Sequence, residues 1–165
     1  MTVSHGHKSR NAYGLGTNHC AVNENHLVKM NGKSVLIMDD DAILLNVVCS
    51  MLEFAGYQAF ATQDCAEAVL SYQDAKQSGN SFDAVILDLH IGRGKGGKET
   101  VQELLEIDPD VRAIVASGDT TDRAMMDHKT FGFRCVLQKP FTMEEMVQAL
   151  ESVMDNPVGV LRRCA

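Results

Sequence analysis

Five short and largely apolar runs, at residues 34–38, 57–61, 82–87, 111–116 and 133–137, are spaced along the chain with a longer stretch after each. Runs of this length are too short for helices. Their continuous apolar character, without alternation, is that of strands buried on both faces. The intervening stretches carry helix signals. Leu44, Val47, Val48, Met51, Leu52 and Ala55 recur at helical spacing before Gly56. Asp64 and Glu67 open a helix that runs to residue 77 and stops at Gly79-Asn80. Residues 98–107 predict a helix burying Val101, Leu104 and Leu105, closed by Asp108-Pro109, and residues 121–131 predict another. Thr142 and Glu145 form a capping box for the last helix, whose Met143, Met146, Val147, Leu150 and Met154 lie along one stripe. Strands that alternate with helices in this way fold as a parallel sheet covered on both sides. Right-handed crossovers restrict the topology to a doubly wound, five-stranded (βα)5 sandwich of the α/β class. In such a sheet ligands bind beyond the carboxyl ends of the strands, so the residues after each run are where chemistry is expected.

Charge narrows the classes of function. Lys and Arg total 15 against 22 Asp and Glu, a formal net charge of −7. Residues 1–33 hold four basic residues (Lys8, Arg10, Lys29, Lys33) and one acid (Glu24), leaving the remaining 132 residues strongly acidic. An acidic body argues against wrapping nucleic acid through its phosphates and is compatible with a divalent cation site. No apolar run approaches the roughly 18–20 residues needed to cross a bilayer, and residues 1–20 contain no secretory apolar core. The five Cys include no C-x-x-C pair and read as reduced thiols, which points to a cytoplasmic protein. The first 32 residues, rich in Asn, His, Gly and Ser and without periodicity, read as a flexible leader. Residues 156–165 read as a tail, with residues 33–155 as the domain between them. His5, His7, His19 and His26 in the leader lack convergent acids or thiols and are weak metal ligands.

The strand ends carry the chemistry. Asp39-Asp40-Asp41 follow the first run, Asp88 the third, Ser117 the fourth, and Lys139-Pro140 the fifth. Carboxylates from neighbouring strands repel one another and hold protons unless a cation lies among them. An oxygen-rich acidic pocket suits Mg²⁺, or Mn²⁺, which leaves coordination positions for water and phosphate oxygens. A lysine and a serine beside it could hold a phosphoryl dianion. The set describes a metal-assisted phosphoryl acceptor with a carboxylate nucleophile.

Taken together and in order, these motifs resemble the receiver domain of two-component response regulators. They are Val35-Leu36-Ile37-Met38-Asp39-Asp40-Asp41, Asp83-Ala84-Val85-Ile86-Leu87-Asp88-Leu89, Ala116-Ser117-Gly118 and Leu137-Gln138-Lys139-Pro140-Phe141. Gly96-Gly97-Lys98-Glu99-Thr100 and Gly132-Phe133 are most similar to receivers of hybrid sensor histidine kinases. The resemblance implies a flavodoxin-like sheet with strand order 2-1-3-4-5. It assigns Asp88 as the phosphorylated residue and Asp40 as a direct Mg²⁺ ligand, with Asp39 holding the metal through water. It gives the backbone carbonyl of His90 to the metal, Ser117 the role of switch hydroxyl and Lys139 that of its cationic partner. It also implies a cis Lys139–Pro140 bond. The partners it implies are a sensor histidine kinase or a histidine phosphotransfer protein, with output through the face of the fourth helix, fifth strand and fifth helix. The chain would act as a monomer or a phosphorylation-dependent homodimer.

Two departures stand out. Val136 occupies the position of the family's switch aromatic, so a rotating ring coupled to Ser117 is absent. Gly92 stands where proline is usual, followed by Arg93-Gly94-Lys95-Gly96-Gly97, a loop expected to be mobile and to add positive charge near Asp88. Two other functions compete. A phosphorylation-independent interaction module of the same fold is disfavoured by the intact set Asp39, Asp40, Asp88, Ser117 and Lys139. An aspartate-nucleophile phosphohydrolase is disfavoured because His90, not an acid, lies two residues after Asp88.

Overall fold

The computed structural model describes residues 32–92 and 94–155. The leader and tail expectations therefore lie almost wholly outside the described residues, as does Arg93. Eleven elements follow one another: β1 (Ser34–Met38), α1 (Ala42–Phe54), β2 (Gln58–Thr62), α2 (Cys65–Gln77), β3 (Ala84–Asp88), α3 (Gly97–Ile107), β4 (Ala113–Ser117), α4 (Arg123–Met126), a 3₁₀ turn (His128–Phe131), β5 (Cys135–Gln138) and α5 (Met143–Met154). The strands form one parallel sheet in the order β2-β1-β3-β4-β5. The doubly wound (βα)5 architecture and its strand order are those expected.

Successive strand residues point to opposite faces, and both faces are apolar. Val35, Ile37, Ile86, Ile114 and Leu137 pack with Leu45, Val48, Cys49 and Leu52 of α1 and Met146, Leu150 and Val153 of α5. On the other face, Leu36, Met38, Val85, Leu87 and Val115 pack with Ala68 and Tyr72 of α2 and Val101 and Leu104 of α3. A parallel sheet covered twice in this way explains why the strands read as continuous apolar runs.

Most helix ends obey the expected caps. Asp64 Oδ1 accepts from the Glu67 amide at 2.9 Å. Thr142 Oγ1 accepts from Glu145 N while Glu145 Oε2 accepts from Thr142 N, a complete capping box. Three expectations need correction. Val47 is exposed on α1, and the buried stripe runs through Leu45 and Cys49 instead. Leu105 is only partly buried. The helix expected over residues 121–131 is broken into a four-residue α4 and a 3₁₀ turn that meet at Asp127, whose backbone (φ −131°, ψ 53°) is not helical. The physical reason lies in the side chains: Asp127 Oδ2 accepts from Thr130 Oγ1 at 2.7 Å, and Gln102 of α3 donates to the Phe131 carbonyl at 2.8 Å. Such side-chain bonds offer the backbone a turn in place of a longer helix.

Candidate functional site

Because all five strands run in one direction, Asp39–Asp41, Asp88–His90, Ser117 and Lys139 emerge at one edge of the sheet. The register sets Met38 beside Leu87, Asp88 beside Ala116 and Ser117 beside Gln138. The three successive acids divide their labour. Asp41 is the N-cap of α1, its Oδ1 accepting from the amides of Ile43 (2.8 Å) and Leu44 (3.2 Å). That leaves Asp39 and Asp40 free of the capping role. Asp39 is buried; its Oδ1 accepts from Asp41 N at 2.9 Å and its Oδ2 from Lys139 Nζ at 2.5 Å. Asp40 is exposed, its Oδ2 accepting from the Gly92 amide at 2.7 Å.

Asp88 closes β3 and is 8% exposed. Its Oδ1 lies 3.2 Å from Lys139 Nζ. Burial pushes its carboxyl above the ordinary carboxylate range; Lys139 pulls the other way, Asp39 adds to the rise, and the His90 backbone N–H favours the charged form. One ammonium thus serves two buried carboxylates, and a third carboxylate stands beside them. One oxygen from each of Asp39, Asp40 and Asp88 comes within 4.8 Å of the others. Hard oxygen donors, gathered with more negative charge than Lys139 offsets, fit a divalent cation of the Mg²⁺ type.

Ser117 is fully buried, and its Oγ accepts from the Asp119 amide at 3.1 Å and lies 3.4 Å from His90 Nδ1. The structure thus brings Asp39, Asp40, Asp88 and Lys139 into one cluster and places Ser117 at its margin, facing His90 and not hydrogen-bonded to Asp88. The imidazole of His90 is largely exposed, with Nε2 3.8 Å from Asp122 Oδ2. The Lys139–Pro140 bond is cis, as the resemblance implies. Val136 is partly buried and packs on the α2–α3 side of the sheet.

Of the two basic residues in the glycine-rich loop, Arg93 lies outside the described residues, and Lys95 is paired with Glu103 of α3, Nζ to Oε1 at 2.5 Å, in place of the expected role beside Asp88. Gly96 and Gly97 are required by packing: a Cβ on Gly97 would lie 2.7 Å from the Asp88 carbonyl oxygen, and one on Gly96 would overlap the Leu89 carbonyl. Their absence of side chains lets α3 begin against the end of β3. Gly92 joins the candidate site, although its sequence position alone does not assign it there. Its amide holds Asp40, a bond that proline at this position could not make. The glycine-for-proline exchange was itself the available signal.

A family model for the response regulator receiver domain matches residues 35–151. The chain belongs to the response regulator receiver family. It is thus a receiver domain of the two-component type, in the flavodoxin-like fold of that family. Among its relatives is the chemotaxis protein CheY of Thermotoga maritima, 29% identical over 123 residues, covering 74% of this chain and 98% of that protein. The two-component response regulator ORR22 of Oryza sativa subsp. indica is 27% identical over 128 residues, 78% of this chain but only 18% of the rice protein. The chain therefore spans under a fifth of that larger regulator. The receiver domain of sensor histidine kinase PA1611 from Pseudomonas aeruginosa superposes with a TM-score of 0.66 at 20% identity, over 76% of this chain and 99% of that one. That receiver holds a magnesium ion in its active-site cleft. No helix among the described residues is long and apolar enough to cross a membrane.

Proposed function

We propose that residues 33–155 form a phosphoaccepting switch in which Asp88 takes a phosphoryl group from a partner phosphohistidine, with Mg²⁺ or Mn²⁺ bound at Asp39, Asp40 and Asp88. Residues 1–32 would be a leader and 156–165 a tail. The observation that carries this reading is the cluster of the Asp39, Asp40 and Asp88 carboxylates, of which Asp39 and Asp88 share the ammonium of Lys139. An Asp88 oxygen forms a bond to phosphorus as the bond from phosphorus to the histidine nitrogen breaks, and the electron pair leaves on that nitrogen. A bound cation would neutralise charge on the phosphoryl oxygens and on the attacking carboxylate. The other work falls to the chain. Asp41 N orients Asp39, Gly92 N orients Asp40, and Lys139 holds Asp88 in place. After transfer, Lys139 would pair with a phosphoryl oxygen, and the Ser117 hydroxyl would turn from His90 to donate to another. His90 would offer its backbone carbonyl to the cation. The partner would be a sensor histidine kinase or a histidine phosphotransfer protein. The domain would work in the cytoplasm as a signalling acceptor, monomeric or paired on phosphorylation, without turnover of small substrates.

Phosphoramidate, whose phosphorus–nitrogen bond is that of a phosphohistidine, provides the test. With Mg²⁺ the intact mass is expected to rise by one phosphoryl group, and this rise disappears in EDTA and in Asp88→Asn. No mass gain with metal, or an equal gain in the variant, would overturn the reading.

A further inference from the structure

α3 grips the segment after β4 at three points. Lys98 Nζ donates to Asp122 Oδ2 at 2.8 Å, the same ammonium lies 5.7 Å from the centre of the Phe131 ring, and Gln102 bonds the Phe131 carbonyl. Asp122 is at once the N-cap of α4, its Oδ1 accepting from Ala124 N at 2.7 Å. Its carboxylate is largely buried, and the hydrogen bond from Lys98 holds its pKa below the ordinary range against the effect of burial. Ser117 Oγ ties the front of the same loop through the Asp119 amide, and His90 bridges the two ends, reaching Ser117 Oγ with Nδ1 and approaching Asp122 Oδ2 with Nε2. The loop from Ser117 to Asp122 is thus fastened at its start by the switch hydroxyl and at its end by Lys98.

We propose that the Lys98–Asp122 ion pair is a latch through which the phosphorylation state of Asp88 reaches α4 and the 3₁₀ turn, so that the signal leaves across the α3–α4 face. This rests on the phosphoacceptor reading above. When Ser117 Oγ turns to a phosphoryl oxygen it gives up both the Asp119 amide and His90. The front tie is lost, Asp122 shifts with the loop, and the Lys98 bond opens. Val136, which has no ring to rotate, leaves β5 without the side chain that would otherwise carry the change. The segment so released contains Met126, which is 68% exposed.

Hydrogen–deuterium exchange of residues 119–134 in the full chain provides the test, with Mg²⁺ and beryllium fluoride as the phosphoryl mimic and the bound fluoride followed by ¹⁹F NMR. Lys98→Met removes the cation. Asp122→Asn weakens the ion pair while keeping a competent N-cap, which guards against a mere loss of fold. In the wild type, beryllium fluoride is expected to speed exchange of this segment about tenfold, the change that accompanies loss of one charge-assisted hydrogen bond. In both variants the segment is expected to exchange at that faster rate without the mimic and to respond to it less than about twofold, while ¹⁹F binding persists. Wild-type protection in the variants, or an undiminished response in them with fluoride bound, would overturn the latch alone. Absence of bound fluoride in the wild type would overturn the acceptor reading and the latch with it.

Discussion

The Asp88 carboxyl is held in conflict. Burial and the neighbouring Asp39 both resist its charge, and the one ammonium that opposes them is shared. The sign of the consequence follows from proton linkage. A carboxyl whose folded pKa is raised binds more protons folded than unfolded between the two pKa values, so its contribution to stability is greatest at low pH and is lost as pH rises through the folded value. In metal-free buffer, Asp88→Asn is therefore expected to be more stable than the wild type near pH 7, by a few degrees in Tm. The advantage shrinks as pH falls through the raised pKa and is also reduced by Mg²⁺. Thermal unfolding of the two proteins in EDTA against pH checks this; a variant less stable than wild type at neutral pH would contradict it. Asp119 and Asp122 tilt the other way. Hydrogen bonds from Thr121 and Lys98 lower their pKa values, so their contributions are present above the unfolded carboxylate range and lost on acidification. Comparison with Asp88→Asn at each pH cancels them.

Among the elements, β1 and β3 announced themselves because a strand buried on both faces must be apolar throughout, and their carboxyl ends then located Asp39, Asp40 and Asp88. The capping box of α5 was equally plain, because Thr142 and Glu145 satisfy each other locally. Residues 121–131 break because the Asp127–Thr130 bond turns the chain while Gln102 on Phe131 and Lys98 on Asp122 hold it from outside, and a periodic pattern does not register such contacts. The direction of Lys95 is hidden for the same reason, since Glu103 of α3 captures it. The place of α3 depends on glycines whose need shows only in three dimensions. Gly96→Ala is expected to cost about 2–4 kcal/mol in urea unfolding, because the obstacle is the Leu89 backbone and cannot step aside. A change within about 0.5 kcal/mol would mean that α3 can start elsewhere.

Over the whole molecule, the acidic excess resolves into separate uses. Asp41, Asp64 and Asp122 cap helices, Asp108 binds Tyr72 and Lys76 near the start of β4, and Asp39, Asp40 and Asp88 converge at the carboxyl edge of the sheet. Parallel strands force that convergence, since each delivers the residues at and just beyond its carboxyl end to the same edge. The central claim is that the phosphoryl group is carried as an acyl phosphate on Asp88. After treatment with phosphoramidate and Mg²⁺, borohydride reduction followed by peptide mass mapping reads the modified side chain directly. The account predicts homoserine at position 88 and at no other aspartate. A reduced residue elsewhere, or phosphate retained on His90 or Ser117 with Asp88 intact, would contradict it.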